Sequence, residues 1–281
     1  MKIGVSSYSF SQYISSGKMT QLDAVKKAKE MGFDCIEFTE LNPPEGVTKE
    51  EYAKVIREEA EKCGIEISAY VVGADFAKIE AEEEIARVKK CLDIAKILGV
   101  KLLRHDVMFS YNEFRSFDEA LPTLKKNIRE VTEYAETLGI KTMTENHGYI
   151  CQDSDRVERL ITGVNHPNYG VLIDMGNFMC ADENPAMAVS RLAHLALMVH
   201  AKDFKKIPFE NYNGEEKCFQ TRGCNYLKGV SVGSGDVPVK QCVEILKRAG
   251  FDGILDIEYE GAEDCIEGLE KGLAFLRGII G

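Results

Sequence analysis

The stretch KEMGFDCIEF, residues 29–38, joins the end of an amphipathic helix, a glycine and a short apolar strand. The same phrase returns as EKCGIEISAY (61–70), KILGVKLLRH (96–105), ETLGIKTMTE (136–145) and KRAGFDGILDIE (247–258). Glycine is favoured just after a helix because it adopts the left-handed conformation without strain. Strands this apolar are typical of parallel sheets that are covered on both faces. The phrase therefore predicts repeated helix–strand units.

Counting these units predicts eight strands, at residues 2–8, 34–38, 65–71, 100–105, 140–145, 170–174, 196–202 and 253–259. Helices are expected at residues 20–31, 48–63, 80–98, 117–138, 152–163, 183–195, 238–249 and 264–279. Eight such units predict an α/β fold with a single closed (β/α)8 barrel domain over residues 1–281. The alternative is an open doubly wound sheet. The segment SYSFSQYISSGK after the first strand disfavours it, because it lacks the GxGxxG phosphate loop.

The longest stretch without a helix or strand pattern is residues 203–237. In the numbering of the eight predicted units it is a long β7–α7 loop, between the strand at 196–202 and the helix at 238–249. Loops of this length in a compact domain usually carry function, often as a lid over a site. We therefore expect an irregular, functional loop here.

Composition limits the class of protein. The net charge of −11 opposes contact with nucleic acid, and no apolar run reaches the length of a membrane span. The nine cysteines are scattered without a CxxC pair, and the N-terminus lacks the pattern of a signal peptide. These features predict reduced thiols and a cytoplasmic protein.

Polar residues stand at the ends of four consecutive predicted strands. Glu145, Asp174, His200 and Glu258 each share a strand face with apolar residues, and the carboxyl ends of barrel strands form the active-site face. Glu260 is an alternative to Glu258. Three carboxylates that meet in a core need a cation among them, so we predict one divalent metal ion, Mn²⁺, Mg²⁺, Co²⁺ or Zn²⁺.

The motifs TENHG, VLIDMGN, VHAKDF, VGSGDV and GFDGILDIEYEG resemble those of the xylose isomerase-like TIM-barrel superfamily of sugar phosphate isomerases and epimerases. The resemblance runs from the first strand to the last helix. It implies that Glu145, Asp174, His200 and Glu258 bind the metal. By analogy with the ketose 3-epimerases, Glu145 and Glu258 would also be the catalytic bases.

The resemblance implies proton abstraction next to a metal-bound carbonyl, through an enediolate, in a sugar or keto-polyol. Returning the proton from the other face epimerises the carbon, and moving it to the next carbon isomerises the substrate. A lyase of the inosose dehydratase type is the alternative, because it shares the first step. Asn177 and Lys206 replace a His and an Arg of the 3-epimerases, which argues against a simple free ketohexose.

Further residues near the strand ends are candidates for substrate binding. They are Tyr8, Glu37, Arg104, His105, His147, Asn177 and Lys202. Each has a structural alternative, such as a hydrogen bond to a neighbouring ligand or packing against the core.

Two other functions fit the sequence less well. An AP endonuclease of the same superfamily needs a three-metal cluster with more histidines, and residues 203–257 contain none. A metal-free binding protein would leave the acidic residues unexplained. We expect a small-molecule sugar or polyol as the only partner class, with no nucleic acid and no membrane, and the sequence leaves a homo-oligomer open.

Overall fold

Eight parallel strands close into a barrel in the computed structural model, which describes residues 1–214 and 217–280. The barrel strands are β1 (Lys2–Ser6), β2 (Cys35–Phe38), β3 (Glu66–Val72), β4 (Leu102–His105), β5 (Lys141–Glu145), β6 (Tyr169–Asp174), β7 (Ala196–Ala201) and β11 (Ile254–Ile257). They follow one another around the barrel in chain order, and β1 closes it by pairing with both β2 and β11. The predicted (β/α)8 fold is confirmed.

Helices surround the barrel. In the described ranges they are α1 (Ser11–Ser15), α2 (Gln21–Met31), α3 (Lys49–Cys63), α4 (Glu82–Leu98), α5 (Phe117–Leu138), α6 (Ser154–Val164), α7 (Pro185–Leu192), α8 (Val239–Arg248) and α9 (Cys265–Ile280). Short α1 is additional to the eight predicted helices. None of the helices described is long and apolar enough to cross a lipid bilayer.

Local signals in the sequence set the helix ends. Thr20 and Thr48 cap α2 and α3 with side-chain hydrogen bonds, and the acidic residue three positions later returns the bond. The five glycines of the repeated phrase, at positions 32, 64, 99, 139 and 250, all have φ between +65° and +90°. They turn the chain from each helix into the following loop and strand, as the repeated phrase predicts.

Two apolar clusters hold the barrel. The larger lies between the strands and the helices, and the smaller lies inside the barrel and contains Ala69, Met143, Leu172 and Met198, all fully buried. Three of these inner residues stand two positions before Glu145, Asp174 and His200 in their strands. Because side chains alternate along a strand, the three polar residues share the inner face, nearer its carboxyl end.

The segment 203–237 differs from expectation. It contains a small antiparallel sheet of β8 (Asp203–Ile207), β9 (Phe219–Gln220) and β10 (Tyr226–Val230), with β10 in the middle. Asp182 anchors this sheet to the loop after β6, because its carboxylate accepts hydrogen bonds from the Gly223 amide at 2.6 Å and from the Asn225 side chain at 3.0 Å. The predicted long connection after the seventh barrel strand is present, but it is not irregular, because its described residues include this small sheet joined to the barrel.

Candidate metal and active site

Four side chains converge at the carboxyl end of the barrel. Glu145 ends β5, Asp174 ends β6, His200 lies in β7, and Glu258 follows β11. One potential ligand atom from each lies within 4.8 Å of the other three. The Nδ1 atom of His200 is 4.0 Å from Glu145 Oε1, 3.9 Å from Asp174 Oδ2 and 3.9 Å from Glu258 Oε2. We call these four residues the quartet.

The quartet contains two polar atoms that no hydrogen bond satisfies. His200 Nδ1 and Asp174 Oδ2 are both buried without a hydrogen bond and lie 3.9 Å apart, and Asp174 Oδ2 has an ion-pair contact with Lys202 Nζ at 3.3 Å. Leaving such atoms unpaired costs about 1–3 kcal/mol each. A divalent cation coordinated by three oxygens and one imidazole would satisfy both, so the donor set fits the expected ion.

His200 is held from behind by Glu37, a residue of β2. Its Nε2 atom donates a hydrogen bond to Glu37 Oε2 at 2.8 Å, and both side chains are fully buried. This bond directs Nδ1 toward the quartet, the arrangement typical of metal-binding histidines. Burial lowers the pKa of His200, but Glu37, Glu258 and Glu145 together outweigh it and the net direction is upward. The structure gives Glu37 a buried supporting contact with the imidazole, and its expected contact with substrate stays a prediction.

A second carboxyl lies in the barrel beneath the quartet. Asp256, two residues before Glu258, accepts a hydrogen bond from Ser68 Oγ at 3.0 Å. A Cβ atom on Gly4 would lie 1.9 Å from Asp256 Oδ1, so glycine at this position makes room for the carboxyl. Burial and the nearby charge of Glu37 raise the pKa of Asp256 to about 8. Sequence reasoning missed Asp256, although strand alternation puts it on the same face as Glu258.

Asp174 is fixed by the turn that follows β6. Its Oδ1 atom accepts hydrogen bonds from the backbone amides of Gly176 at 2.8 Å and Asn177 at 2.9 Å, which leaves Oδ2 free for the quartet. The side chain of Asn146 bonds to both the amide and the carbonyl of Asp174. Burial raises the pKa of Asp174 to about 6, against the opposing charge of Lys202.

Arg104 supports Glu145 from β4. Its Nη2 atom lies 2.5 Å from Glu145 Oε2 and 2.9 Å from Asp106 Oδ1. Asp106 in turn bonds to His147 Nδ1 at 2.8 Å. Burial raises the pKa of Glu145, but the charges of Arg104, His147, His200 and Lys202 together outweigh it and the pKa falls below its ordinary value. Arg104 is the strongest of these charges, and its link through Asp106 was not foreseen.

His105 lies outside this site. Its ring packs between Phe76, at 5.1 Å between centroids, and Tyr169, at 5.8 Å. The ring is fully buried, and Nδ1 donates to the Asp106 carbonyl at 2.8 Å. Since Arg104 points into the barrel, the next residue of the strand must point outward. The expectation that His105 reaches substrate is therefore corrected.

Asn177 and Lys202 join the two sides of the quartet. Asn177 Nδ2 donates to Glu145 Oε1 at 2.8 Å, and its Oδ1 accepts from Lys202 Nζ at 3.1 Å. Lys202, with 3% of its surface exposed, lies 2.5 Å from Glu258 Oε2 and 3.2 Å from Glu260 Oε2. Burial raises the pKa of Glu258, but Lys202 and His200 together outweigh it and the pKa falls below its ordinary value.

A cavity of about 360 Å³ opens beside Glu260. Its walls include the rings of Tyr8 and Phe219, one from the segment after β1 and the other from the small sheet. Tyr8 is 42% exposed, and His147 stands exposed at the mouth beside Phe109. Tyr8 is placed where a molecule in this cavity could touch it, whereas His147 and the quartet do not line the cavity. The cavity is large enough for a monosaccharide-sized molecule.

Comparisons with known proteins agree with this architecture. The family model described as xylose isomerase-like TIM barrel matches residues 25–279. An uncharacterized protein of Methanocaldococcus jannaschii is 25% identical over 291 residues, which covers 96% of this chain and 87% of the relative. An inosose dehydratase of Clostridium beijerinckii is 25% identical over 150 residues, which covers 51% of this chain but only 48% of the enzyme.

Among solved structures, the IOLI protein with a bound zinc atom superposes with a TM-score of 0.79 at 16% identity, covering 100% of this chain and 98% of that one. At this identity the likeness demonstrates a shared fold.

Proposed function

The chain belongs to the xylose isomerase-like TIM barrel family, and we propose that it is a divalent-metal-dependent isomerase or epimerase of a sugar or keto-polyol. The observation that carries the proposal is the quartet, in which His200 Nδ1 and Asp174 Oδ2, buried and without hydrogen bonds, lie beside two further carboxylates. When bound there, a divalent ion supplies Lewis-acid polarisation of a carbonyl and a neighbouring hydroxyl.

Glu145 and Glu258 act as the proton acceptor and donor in this proposal. Cationic side chains, chiefly Arg104 for Glu145 and Lys202 for Glu258, help to hold both pKa values below the ordinary value, so either glutamate can take a proton from carbon. One glutamate removes the proton from the carbon beside the carbonyl, which gives an enediolate. The other glutamate takes up a proton from solvent and delivers it to the opposite face, which inverts the carbon. Delivery of a proton to the former carbonyl carbon, with transfer of the hydroxyl proton between the two oxygens, exchanges aldose and ketose.

Other residues orient the quartet or contact the substrate in this proposal. Arg104 and Asn177 fix the two oxygens of Glu145, while Glu37 fixes the His200 ring. Tyr8 offers a partly exposed ring to one side of a sugar-like substrate, and His147 offers an imidazole edge at the mouth. This preorganisation keeps each reacting group in place before substrate arrives.

A dehydratase is the second candidate. Lys202 lies against Glu258, where an ammonium could protonate a leaving hydroxyl, and similarity to inosose dehydratases favours the same idea. However, the charges of Asp174 and Glu258 outweigh burial and raise the pKa of Lys202 well above its ordinary value, so its proton is held tightly. The isomerase or epimerase therefore stands first.

One experiment separates the candidates. The purified protein, reloaded with Mn²⁺, is incubated in D₂O with ketohexoses, their phosphates and inososes, and each mixture is followed by NMR. Deuterium at one carbon together with a new stereoisomer or aldose supports the proposal, whereas loss of water to an unsaturated ketone supports the dehydratase. A protein that binds Mn²⁺ but exchanges no carbon-bound proton in any of these classes contradicts both.

A further inference from the structure

The ammonium of Lys202 lies in a cage of four oxygens. The atoms around Nζ are Glu258 Oε2 at 2.5 Å, Asn177 Oδ1 at 3.1 Å, Glu260 Oε2 at 3.2 Å and Asp174 Oδ2 at 3.3 Å. The side chain is only 4% exposed. Three carboxylates and one amide are oxygen donors of the kind that hold a divalent cation. The cage therefore resembles a coordination shell with an ammonium in place of a metal.

This cage shares atoms with the quartet. Asp174 Oδ2 and Glu258 Oε2 each lie 3.9 Å from His200 Nδ1, and the same two atoms contact Lys202 Nζ. In enzymes with two metals, the ions lie about 3.5–4 Å apart. Asp174 and Glu258 are placed to bridge two cations in this way. One would lie beside His200 and Glu145, and the other at the position of the Lys202 ammonium.

The charges are consistent with one ion. Four carboxylates surround the two positions, those of Glu145, Asp174, Glu258 and Glu260, and Lys202 contacts three of them. Arg104 is shared between Glu145 and Asp106, so the positions keep a net negative charge that a divalent ion would reduce. A second divalent ion beside Lys202 would have to bind against the repulsion of a buried ammonium.

We infer that Lys202 limits the site to a single divalent ion by occupying the place of a second. The inference rests on the proposed metal site and adds to it a residue that determines how many metals bind. Without the ammonium, the second position and Glu260 become available to bind a cation. Glu260 is not a member of the quartet, and its Oε2 atom contacts Lys202.

The test measures how many Mn²⁺ ions the full chain binds. The protein is first freed of metal with a chelator and is then titrated with Mn²⁺. Wild type is expected to bind one Mn²⁺ per chain, and Lys202→Met two, measured by calorimetry and elemental analysis. Electron paramagnetic resonance should show spin coupling between bridged ions in the variant alone. Lys202→Gln provides a second neutral side chain with a different shape, with the same expectation.

Two controls make the result specific. Lys205→Met removes a half-exposed lysine of the same segment, paired with Asp236, and should keep one ion. The double variant Lys202→Met with Glu260→Gln should bind close to one Mn²⁺ per chain, because it lacks the Glu260 carboxylate. A single ion in both Lys202 variants, or two coupled ions in wild type, overturns the inference while leaving the quartet intact. A wild type that binds no ion overturns the proposed function itself.

Discussion

His200 and His105 show how strongly the two faces of one barrel differ. Each histidine is fully buried near the carboxyl end of a strand. His200 faces the barrel interior, where burial lowers its pKa but the carboxylates of Glu37, Glu258 and Glu145 together raise it above the ordinary value. His105 faces the outer layer between Phe76 and Tyr169, where burial lowers its pKa to about 4. The same residue type is thus prepared for a cation on one face and for neutral packing on the other.

The face of the strand on which a polar residue lies therefore determines its role more than its distance from the barrel mouth does. The inner face carries Arg104, Glu145, Asp174 and His200, whose contacts are with one another. If the chemistry lies on this face, then inner variants should remove it and outer variants should leave it intact.

The largest effect is expected from the two inner glutamates. Glu145→Gln and Glu258→Gln should each lower turnover at least about 10²–10⁴-fold, because an amide cannot accept the carbon-bound proton. The measurement is the rate of deuterium exchange into a responsive keto-polyol. Glu270→Gln, on the exposed side of α9, is the matched control. Near wild-type exchange in both inner variants would eliminate the two-base scheme.

Metal retention should separate the two histidines directly. His200→Ala is expected to lose most of its bound metal, because Nδ1 is the only nitrogen of the quartet. His105→Leu should keep one ion per chain, since its ring contacts aromatic side chains outside the barrel. Both proteins are analysed for metal after reloading with Mn²⁺. Equal metal content in the two variants would show that the face of the strand does not matter.

Chelation should act on the inner face alone. Treatment of wild type with a chelator is expected to stop turnover, and Mn²⁺ or Co²⁺ should restore it, because the quartet carboxylates require a cation between them. Circular dichroism should stay close to that of the untreated protein, since the apolar clusters hold the barrel. Full activity after complete metal removal would refute the metal-dependent mechanism.

A smaller effect, on metal affinity, is expected from Glu37, the hydrogen-bond partner of His200. Glu37→Gln should weaken metal affinity about 10–100-fold, because the amide orients the imidazole less well than the carboxylate does. The dissociation constant is measured by competition with a chelating dye. Glu66→Gln, at the exposed start of β3, serves as the control. Unchanged affinity in Glu37→Gln would mean that the 2.8 Å bond to His200 has no part in ligation.

The smallest effect is the contribution of His105 to the loss of folding stability as the pH falls. Its folded pKa of about 4 lies below the ordinary value of 6.5, so the unfolded chain takes up the proton first as the pH falls. Stability is therefore lost between pH 6.5 and 4, by about 1 kcal/mol at pH 5.5 from this residue. His105→Leu should show a flatter dependence of the melting temperature on pH in that window. An unaltered slope would contradict the neutral state of the buried ring.

Much of this architecture could be predicted from the sequence. The helix–glycine–strand phrase repeats because each unit needs a helix end, a turn and a buried parallel strand, and these are local signals. The meeting of Glu145, Asp174, His200 and Glu258 followed from strand alternation and from the common edge of parallel strands. The metal roles of the four residues, the cytoplasmic location and the single domain over residues 1–281 stay predictions.

Other features depend on distances that a sequence does not contain. Glu37 was a candidate for substrate binding, and its hydrogen bond to His200, 163 residues away in the chain, is not visible in the sequence. Lys202 was likewise a candidate for substrate binding, and its cage brings together residues at the ends of two strands, β6 and β11. The small sheet was missed because β8 and β10 pair across a long separation, from Asp203 with Val230 to Ile207 with Tyr226. His105 and Asp256 were recoverable from strand alternation, His105 from its alternation with Arg104 and Asp256 from its shared face with Glu258.

The most direct test of the central claim is a crystal structure of the Mn²⁺-loaded protein, with anomalous scattering recorded near the manganese edge. The account predicts a single strong peak per chain at about 2.0–2.4 Å from His200 Nδ1 and from oxygens of Glu145, Asp174 and Glu258. Lys202 should remain beside the ion with its ammonium in place. A loaded crystal with no peak among these four side chains, or with its manganese elsewhere on the chain, would contradict the account.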